Sequence, residues 1–206
     1  MTDGRPLNPP FRAEHVGSLL RPQELIEARL RREAGEIDAD ELHEIANIAI
    51  RAAVHLQEDA GLAVVTDGEF RRHTYFSDFF ERIAPLEFDR NAEKGWDYTN
   101  EAGKKVGAAR VRIDHRILWS EPVNADDFTF VDELTSQTVK LTLPGPCVLH
   151  FFGGAGNISK IVYDDLDLFW DDIVDAYLNE LAALDEAGCE YVQLDETALA
   201  KFSDPK

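Results

Sequence analysis

The residues of this chain best suited to chemistry are carboxylates and a hydroxyl that each follow a short apolar run. Asp67 and Glu69 come after one such run, Asp195 and Glu196 after another, and Ser18 after a third that ends in a glycine turn. Acids that converge at one rim could bind an ammonium group, position a metal ligand or transfer a proton. We therefore expect a polar site where these three runs end.

A structural alternative applies to each acid taken alone. Carboxylates at strand ends commonly cap the next helix or face solvent, and charged residues are mostly exposed in proteins. In a chain with 40 acids, that alternative is favoured for any single one of them. The placement of acids or a hydroxyl after three separate runs is what favours a site.

Other candidates leave two interpretations open. His15 could act as a base or ligand, or could be a hydrogen-bonded structural residue. Cys147 and His150 form a Cys-x-x-His pair, which has too few ligands for zinc. Cys189 lies at the opposite end of its strand, which favours core packing. No metal site is expected within this chain.

Two further segments are ambiguous. Arg71 and Arg72, flanked by aromatic residues, could hold an anion or form a solvated helix start. Gly153, Gly154 and Gly156 fit neither a Walker motif nor a dinucleotide fingerprint. We expect residues 151–160 to form a flexible substrate loop.

The apolar runs predict four strands joined by helices, which is typical of an α/β fold with a parallel sheet. The expected strands lie at about 13–18, 62–66, 138–143 and 190–195, and a β-hairpin region is inserted at about 85–125. All 206 residues form one domain, residues 1–206. Four strands fit either a small open sheet or half of a (β/α)8 barrel, and a half-barrel leaves edges that need a partner.

Composition restricts the class of protein. The net charge of −19 repels a phosphate backbone and argues against nucleic-acid binding. No apolar run reaches the length of a membrane span, and the polar start lacks a signal-peptide core. Two cysteines are too few for a disulfide framework, so the expected location is the cytoplasm.

Taken together, four motifs resemble the catalytic domain of cobalamin-independent methionine synthase, most closely its shorter single-barrel relatives. The motifs are His15–Pro22, Thr66–Arg71, Leu143–Pro146 and Tyr191–Glu196. They occur in the family's order over nearly the whole chain. The resemblance implies the amino-terminal half of a TIM (β/α)8 barrel.

The resemblance also implies an activity, namely methyl transfer from 5-methyltetrahydrofolate, often polyglutamylated, to a thiol such as homocysteine. Zinc activates the thiol in this family by stabilising the thiolate. The family's zinc ligands follow the strand that carries the two acids, so we expect Zn²⁺ to be held outside this chain. A carboxyl-terminal region, a second half-barrel chain or a homo-oligomer would supply them.

By the same resemblance, Gly17 and Ser18 hold the carboxylate of the amino acid, and Glu69 and Asp195 hold its ammonium group. Glu69 and Asp195 are thus the expected catalytic residues. Phe151 or Phe152 would stack on the pterin ring. The full set of expected substrate-binding residues is Gly17, Ser18, Glu69, Asp195, Glu196, His15, Phe151 and Phe152.

One departure from the family leaves the thiol acceptor open. Thr197 follows the two acids where full-length synthases carry proline, which points to divergent relatives. The alternative function is a non-catalytic subunit that binds an amino acid or folate, or that regulates a partner. The sequence does not decide whether this chain is active alone.

Overall fold

A three-stranded parallel sheet forms the centre of the computed structural model, which describes residues 13–84, 87–89, 97–99, 105–107 and 110–201. The strands are β1 (Val64–Val65), β2 (Glu87–Asp89), β3 (Asp97–Thr99), β4 (Lys105–Gly107), β5 (Arg110–Arg112), β6 (Thr138–Pro144) and β7 (Tyr191–Asp195). The helices are α1 (Gln23–Glu33), α2 (Ala39–Asp59), α3 (Ser77–Ile83), α4 (Ala125–Asp132), α5 (Pro146–Gly153) and α6 (Leu166–Glu186). Short 3₁₀ turns lie at Ala155–Asn157 and Ala198–Lys201.

The sheet has the order β1-β6-β7, and both pairings are parallel. Each strand therefore lies beside the next sheet strand along the chain, with helices in the connections, as in repeated β/α units. The register pairs Thr142 with Gln193 and Pro144 with Asp195. The predicted α/β class with a parallel sheet is confirmed.

Alternation along β6 and β7 separates the sheet into two faces, because successive side chains of a strand point in opposite directions. The polar face, as we call it, carries Lys140, Thr142, Tyr191, Gln193 and Asp195, which the register places side by side. Long polar residues on a buried sheet face are unusual, so this face is the part of the fold where a site is expected.

The opposite face of β6 carries Val139, Leu141 and Leu143, all buried in the main apolar cluster. The helices add their own apolar residues to this cluster, among them Ile50 of α2 and Ile173 of α6, both 0% exposed. Burial of such a side chain contributes about 1.5–3 kcal/mol, so this packing holds the polar face in place.

Local signals set the helix boundaries. Pro22 precedes the first turn of α1, where its fixed φ of −58° suits a helix start. The Asp38 carboxylate accepts a hydrogen bond from the Glu41 amide at 2.8 Å and caps α2. Gly61, with φ of +79°, follows the end of α2, because a left-handed residue there favours glycine. None of the helices within the described ranges is long and apolar enough to cross a membrane.

The predicted first strand, at about 13–18, is wrong, because residues 13–20 have no regular secondary structure. Side chains of the polar face bind the backbone of this segment in place of a strand ladder. Lys140 donates to the His15 carbonyl, and Gln193 donates to the Val16 carbonyl.

The predicted loop at 151–160 is also wrong in its first part, because α5 runs through Gly153. Pro146 at the start of α5 has its φ fixed in the helical range, and apolar residues follow it. Gly154, with φ of +67°, ends the helix. The predicted hairpin region at about 85–125 falls largely outside the described residues. Two antiparallel pairs are described there, β2 with β5 and β3 with β4.

Candidate functional site

The turn after β1 has an unusual backbone. Gly68 has φ of +66° and Glu69 has φ of +58°, and a left-handed residue other than glycine costs about 1–2 kcal/mol. Side chains stabilise the turn, since Thr66 Oγ1 accepts from the Gly68 amide and Asp67 Oδ1 accepts from the Glu69 amide at 2.9 Å. Strained backbone that neighbours hold in this way often marks a functional site.

The carboxylate of Glu69 is 4% exposed and lies on the polar face. Thr142 Oγ1 donates to Glu69 Oε1 at 3.5 Å, and Arg72 Nη1 donates to Thr142 Oγ1 at 2.9 Å. Burial raises the pKa of Glu69, the nearby Arg72 guanidinium opposes this rise, and the carboxylates of Asp67 and Asp195 add to it. Glu69 and Asp195 are therefore close enough to influence each other.

Asp195 ends β7 and is half-buried. Its Oδ1 accepts a hydrogen bond from Gln193 Nε2 at 2.5 Å. Burial raises the pKa of Asp195, while the Gln193 hydrogen bond and the charges of Arg72 and Lys140 lower it. The two carboxylates predicted to bind an ammonium group thus share one buried environment and one neighbouring cation, Arg72.

The segment that carries Gly17 and Ser18 lies beside these acids. Gln193 Nε2 donates to the Val16 carbonyl at 2.8 Å, and the Leu19 amide donates to the Gly68 carbonyl at 3.1 Å. Gly17 and Ser18 are exposed. The structure therefore places the predicted hydroxyl next to the turn that contains Glu69, at an accessible position.

The imidazole of His15 is occupied by a structural contact. Its Nδ1 lies 2.9 Å from Oε1 of Gln57, a residue of α2 that is 1% exposed. Gln57 also pairs with both backbone polar groups of Thr66, at the end of β1. This arrangement corresponds to the structural alternative for His15, and it fixes the first segment against α2.

Lys140 is a site residue that the sequence analysis did not single out. Its side chain is 0% exposed, and its Nζ lies within reach of Glu14 Oε2, the His15 carbonyl and Gln193 Oε1. An ammonium group has three donors, so these three acceptors satisfy it. The available signal was a lysine in an otherwise apolar, alternating strand.

The solvated helix start predicted for Arg71 and Arg72 is wrong, because both side chains are engaged within the protein. Arg71 pairs with Asp127 at 2.8 Å and with the Asn47 amide oxygen, and its guanidinium lies over the Phe130 ring at 4.6 Å. Arg72 is 6% exposed and faces the polar side chains of the site. Arg71 anchors the turn to the helices, and Arg72 provides the buried cation.

In this turn, the buried polar atoms without a hydrogen-bond partner among the described residues include Asp67 Oδ2, Arg71 Nε and Arg72 Nη2. An unpaired buried polar group costs free energy, so native structures keep few of them. The acids near this place are Asp67, Glu69 and Asp195, and the cations whose charges reach Glu69 or Asp195 are Arg21, Arg72 and Lys140. The carboxylates could accept hydrogen bonds from a ligand with an ammonium group.

Glu196, predicted as a substrate contact, has both of its carboxylate oxygens bonded to backbone amides. Its Oε2 accepts from the Cys147 amide at 2.8 Å, in the first turn of α5, and its Oε1 accepts from the Ala198 amide at 3.2 Å. A carboxylate at a helix N-terminus satisfies a free amide and the helix dipole. Both oxygens are thus engaged with backbone, which indicates a structural cap.

The two predicted aromatic residues face different neighbours. The Phe152 ring stacks on the Phe76 ring, with centroids 4.5 Å apart. Phe151 lines a cleft of about 310 Å³ together with Cys147, His150, Gly154 and Trp170. One face of Phe152 is therefore covered by protein, and Phe151 is the aromatic residue at the cleft.

The part of the chain that the structure describes holds no group of residues that fits zinc. Within the described ranges, no group of three or more histidine, cysteine, aspartate or glutamate side chains could hold a metal ion. Zinc binds the thiolate form of cysteine. Burial and the nearby Glu196 carboxylate raise the pKa of Cys147, which keeps it as a thiol. The zinc that the resemblance implies thus has no matching ligands among the residues described.

Comparison with known proteins finds a matching family model and relatives that cover most of the chain. Residues 11–203 match the family model described as cobalamin-independent synthase, catalytic domain. The chain is 38% identical over 198 residues to the uncharacterized protein YxjH of Bacillus subtilis, covering 96% of this chain and 51% of that protein. It is 30% identical over 188 residues to a methionine synthase of Saccharolobus solfataricus, covering 89% of this chain and 52% of that protein.

A solved structure shares the fold. The crystal structure of a putative vitamin-B12 independent methionine synthase from Listeria monocytogenes superposes with a TM-score of 0.76 and 32% identity. The superposition covers 96% of this chain and 55% of that one. The chain thus spans about half the length of the relatives it matches.

Proposed function

This chain belongs to the family of cobalamin-independent methionine synthase catalytic domains, and we propose on that premise that it forms the amino-acid-binding part of a methyltransferase site. The ligand is an amino acid with a thiol, such as homocysteine, and the methyl donor is 5-methyltetrahydrofolate, with a polyglutamate tail. The observation that carries the proposal is the shared buried environment of Glu69 and Asp195 on the polar face.

In this proposal each end of the amino acid has its own partners. Glu69 and Asp195 bind the ammonium group, and the backbone and hydroxyl of Gly17 and Ser18 bind the carboxylate. Ion-pair hydrogen bonds of this kind are about twice as strong as neutral ones, and two carboxylates fix the direction of the ammonium group. The chain thereby orients the thiol of the acceptor toward the methyl donor.

The pterin of the donor lies against the aromatic end of α5, where Phe151 lines the cleft with Trp170. Zinc, when bound, supplies stabilisation of the acceptor thiolate. Its ligands come from outside this chain. Every role proposed for the residues of this chain concerns binding and orientation.

We propose that a second half-barrel completes the site. β7 is an edge strand of the three-stranded sheet, and its Leu194, on the same face as the buried Leu143, is 46% exposed. An exposed edge strand with an apolar side chain is a surface that other chains pair with. The family members compared above are about twice as long as this chain, so their other half has the size to cover it. Both cysteines are free, which suits the cytoplasm as the proposed location.

Calorimetric titration of the chain with homocysteine and methionine tests the proposal. We expect both to bind, and we expect N-acetylmethionine, which has no ammonium group, to bind at least tenfold more weakly. Glu69→Gln and Asp195→Asn should each weaken methionine binding by a similar factor. Glu186→Gln, an exposed change on α6, is the control. Equal binding of methionine and N-acetylmethionine would contradict the proposal.

The second candidate is a binding or regulatory subunit without catalysis. It is favoured by the lack of a metal-ligand group within the described residues. Methyl transfer distinguishes the two candidates when the chain is mixed with Zn²⁺, 5-methyltetrahydrofolate, homocysteine and the carboxyl-terminal half of a full-length relative. Product formation supports the enzyme. Amino-acid binding without transfer supports the subunit.

A further inference from the structure

We infer that Gln193 is a positioning residue that couples the two recognition elements of the proposed amino-acid pocket, the backbone at Val16–Ser18 and the carboxylate of Asp195. This inference rests on the proposed function, because the pocket is part of it. The hydrogen bonds by which Gln193 couples the two elements can be tested separately, in the unliganded chain.

The side-chain amide of Gln193 has three partners. Its Nε2 donates to the Val16 carbonyl at 2.8 Å and to Asp195 Oδ1 at 2.5 Å, and its Oε1 accepts from Lys140 Nζ at 2.8 Å. The orientation of the amide follows from chemistry. An ammonium group can only donate, and a carbonyl or ionised carboxylate can only accept, so a flipped amide would lose all three contacts.

Lys140 holds the amide in this orientation. Its ammonium group is fully buried and is also bound by Glu14 Oε2 and the His15 carbonyl. A buried cation is costly unless its donors are all satisfied, so Lys140 cannot easily release Gln193. The chain of contacts therefore runs from Lys140 through Gln193 to both Val16 and Asp195.

The contact to Val16 fixes the backbone that leads into Gly17 and Ser18. The Val16 carbonyl and the Gly17 N–H belong to one peptide unit, and in a trans peptide they point in opposite directions. Because Gln193 holds the Val16 carbonyl toward the polar face, the Gly17 N–H points away from that face, and the chain enters Ser18 in one orientation. Glycine at 17 has no side chain to do this, so the neighbouring residue's carbonyl provides the anchor.

The contact to Asp195 favours its ionised form, which is the form that binds ammonium. The charged or titratable groups that face Asp195 are Lys140 on β6, Arg72 and Glu69 in the turn after β1, and the phenol of Tyr75. Gln193 is the uncharged group among these neighbours that donates directly to the carboxylate. Without this donor, the pKa of Asp195 rises further.

The test uses the full chain with Gln193→Met, which keeps the side-chain length but removes the amide. Gln193→Asn, one methylene shorter, is the second variant in case Gln193→Met does not fold. Gln23→Met is the matched control, because Gln23 is an exposed glutamine on α1 whose side chain donates to Glu27 and is remote from the site.

The first measurement is hydrogen exchange in the unliganded chain. The Leu19 amide donates to the Gly68 carbonyl and reports on the order of the 16–19 segment. We expect Gln193→Met to speed exchange of this amide by about fivefold or more, the size expected for one lost hydrogen bond. Gln23→Met should leave the rate unchanged. An unchanged rate in Gln193→Met and Gln193→Asn would overturn the coupling.

The second measurement is the pH dependence of methionine binding. We expect the pH at which binding falls to half to move upward in Gln193→Met, because Asp195 then protonates at a higher pH. A merely structural role would weaken binding equally at every pH and would leave this midpoint in place. An unchanged midpoint and affinity would overturn the inference while the proposed function stood.

The two proposals fail in different ways. If the wild-type chain binds no amino acid at all, the proposed function fails, and the exchange measurement still decides whether Gln193 couples the two elements. If the wild-type chain binds amino acids, and Gln193→Met and Gln193→Asn match the control Gln23→Met in exchange rate and in the pH dependence of binding, Gln193 has no positioning role.

Discussion

The carboxylate of Glu196 lies against Gly145, so closely that a Cβ on residue 145 would be 2.4 Å from Glu196 Oε2 and 2.6 Å from its Cα. The Gly145 amide also donates to the Asp195 carbonyl at 3.0 Å. The start of α5 and the end of β7 therefore pack as one unit, and the absence of a side chain at 145 allows this contact.

Gly145→Ala should destabilise the chain by about 2 kcal/mol, because the new methyl group meets backbone that cannot move away without shifting β7. Urea unfolding followed by circular dichroism measures the change. Gly156→Ala is the control, since among the described residues no atom beyond its chain neighbours lies within 4 Å of its Cβ position. Its effect should stay within about 0.5 kcal/mol. Equal stabilities for the two variants would contradict the packing described.

Glu69→Gly should be more stable than Glu69→Ala by about 1 kcal/mol. Both variants remove the buried carboxylate, but only alanine retains the cost of a left-handed φ. At Ala182, an exposed position in the helix α6, glycine should instead be less stable than alanine. Ala182→Gly should lower the free energy of unfolding by about 1 kcal/mol. Thermal and urea unfolding of the three variants test this, and a more stable Glu69→Ala would show that the turn is unstrained.

The stability contributed by Glu69 and Asp195 should fall as pH rises. Burial raises the pKa of both acids, so the folded chain holds their protons to higher pH than the unfolded chain does. The loss begins near pH 4, about where these acids ionise when unfolded, and is complete above the raised folded pKa. Amino-acid binding should strengthen over the same range.

The measurement is the difference in unfolding free energy between wild type and Glu69→Gln/Asp195→Asn as a function of pH. Asp172 provides a control of opposite sign, because its hydrogen bond with Arg116 lowers its pKa. Its stabilising contribution is present above the unfolded pKa and is lost as pH falls through the folded pKa. A wild-type curve parallel to that of the double variant would rule out the raised pKa values.

Glu180 should be a main contributor to stability. It is 0% exposed, and its two oxygens accept from Trp119 Nε1, the Val123 amide and both nitrogens of Asn124. Glu180→Ala leaves these four donors unpaired and should cost about 3 kcal/mol or more. Glu186→Ala, on the exposed side of α6, should change stability by less than about 0.5 kcal/mol. Denaturant unfolding distinguishes these outcomes.

Leu194→Asp should prevent association with a complementary half-barrel while the isolated chain stays folded. A charge at this exposed position of β7 is tolerated in solvent, but it would be costly once a helix or strand covered it. Ile161→Asp, at a 98% exposed residue, is the control. Sedimentation of the chain mixed with the carboxyl-terminal half of a relative measures association. Undiminished association of Leu194→Asp would place the contact elsewhere.

The sequence predicts the framework well where the period of the apolar residues is clear. The runs around Val64, Leu141 and Val192 gave strands, because β-branched and aliphatic residues bounded by turn residues have few alternatives. Residues 13–18 have a similar pattern and form no strand. Strand formation there depends on a neighbour's backbone, and side chains of Lys140 and Gln193 occupy that position instead.

The acids of the site were predictable from position, since Glu69 and Asp195 each follow a strand. The residues that set their charge states were not. Lys140, Arg72 and Gln193 act through contacts between segments far apart in sequence, and no local pattern encodes such contacts. Local pattern likewise could not show that Glu196, beside Asp195, caps α5.

The satisfied ammonium group of Lys140 has a consequence for substrate selectivity. All three of its donors bind the chain itself, so it offers no counter-ion to a second carboxylate on an incoming molecule. Recognition of an acidic side chain would therefore fall to Arg72, whose Nη2 has no hydrogen-bond partner among the described residues.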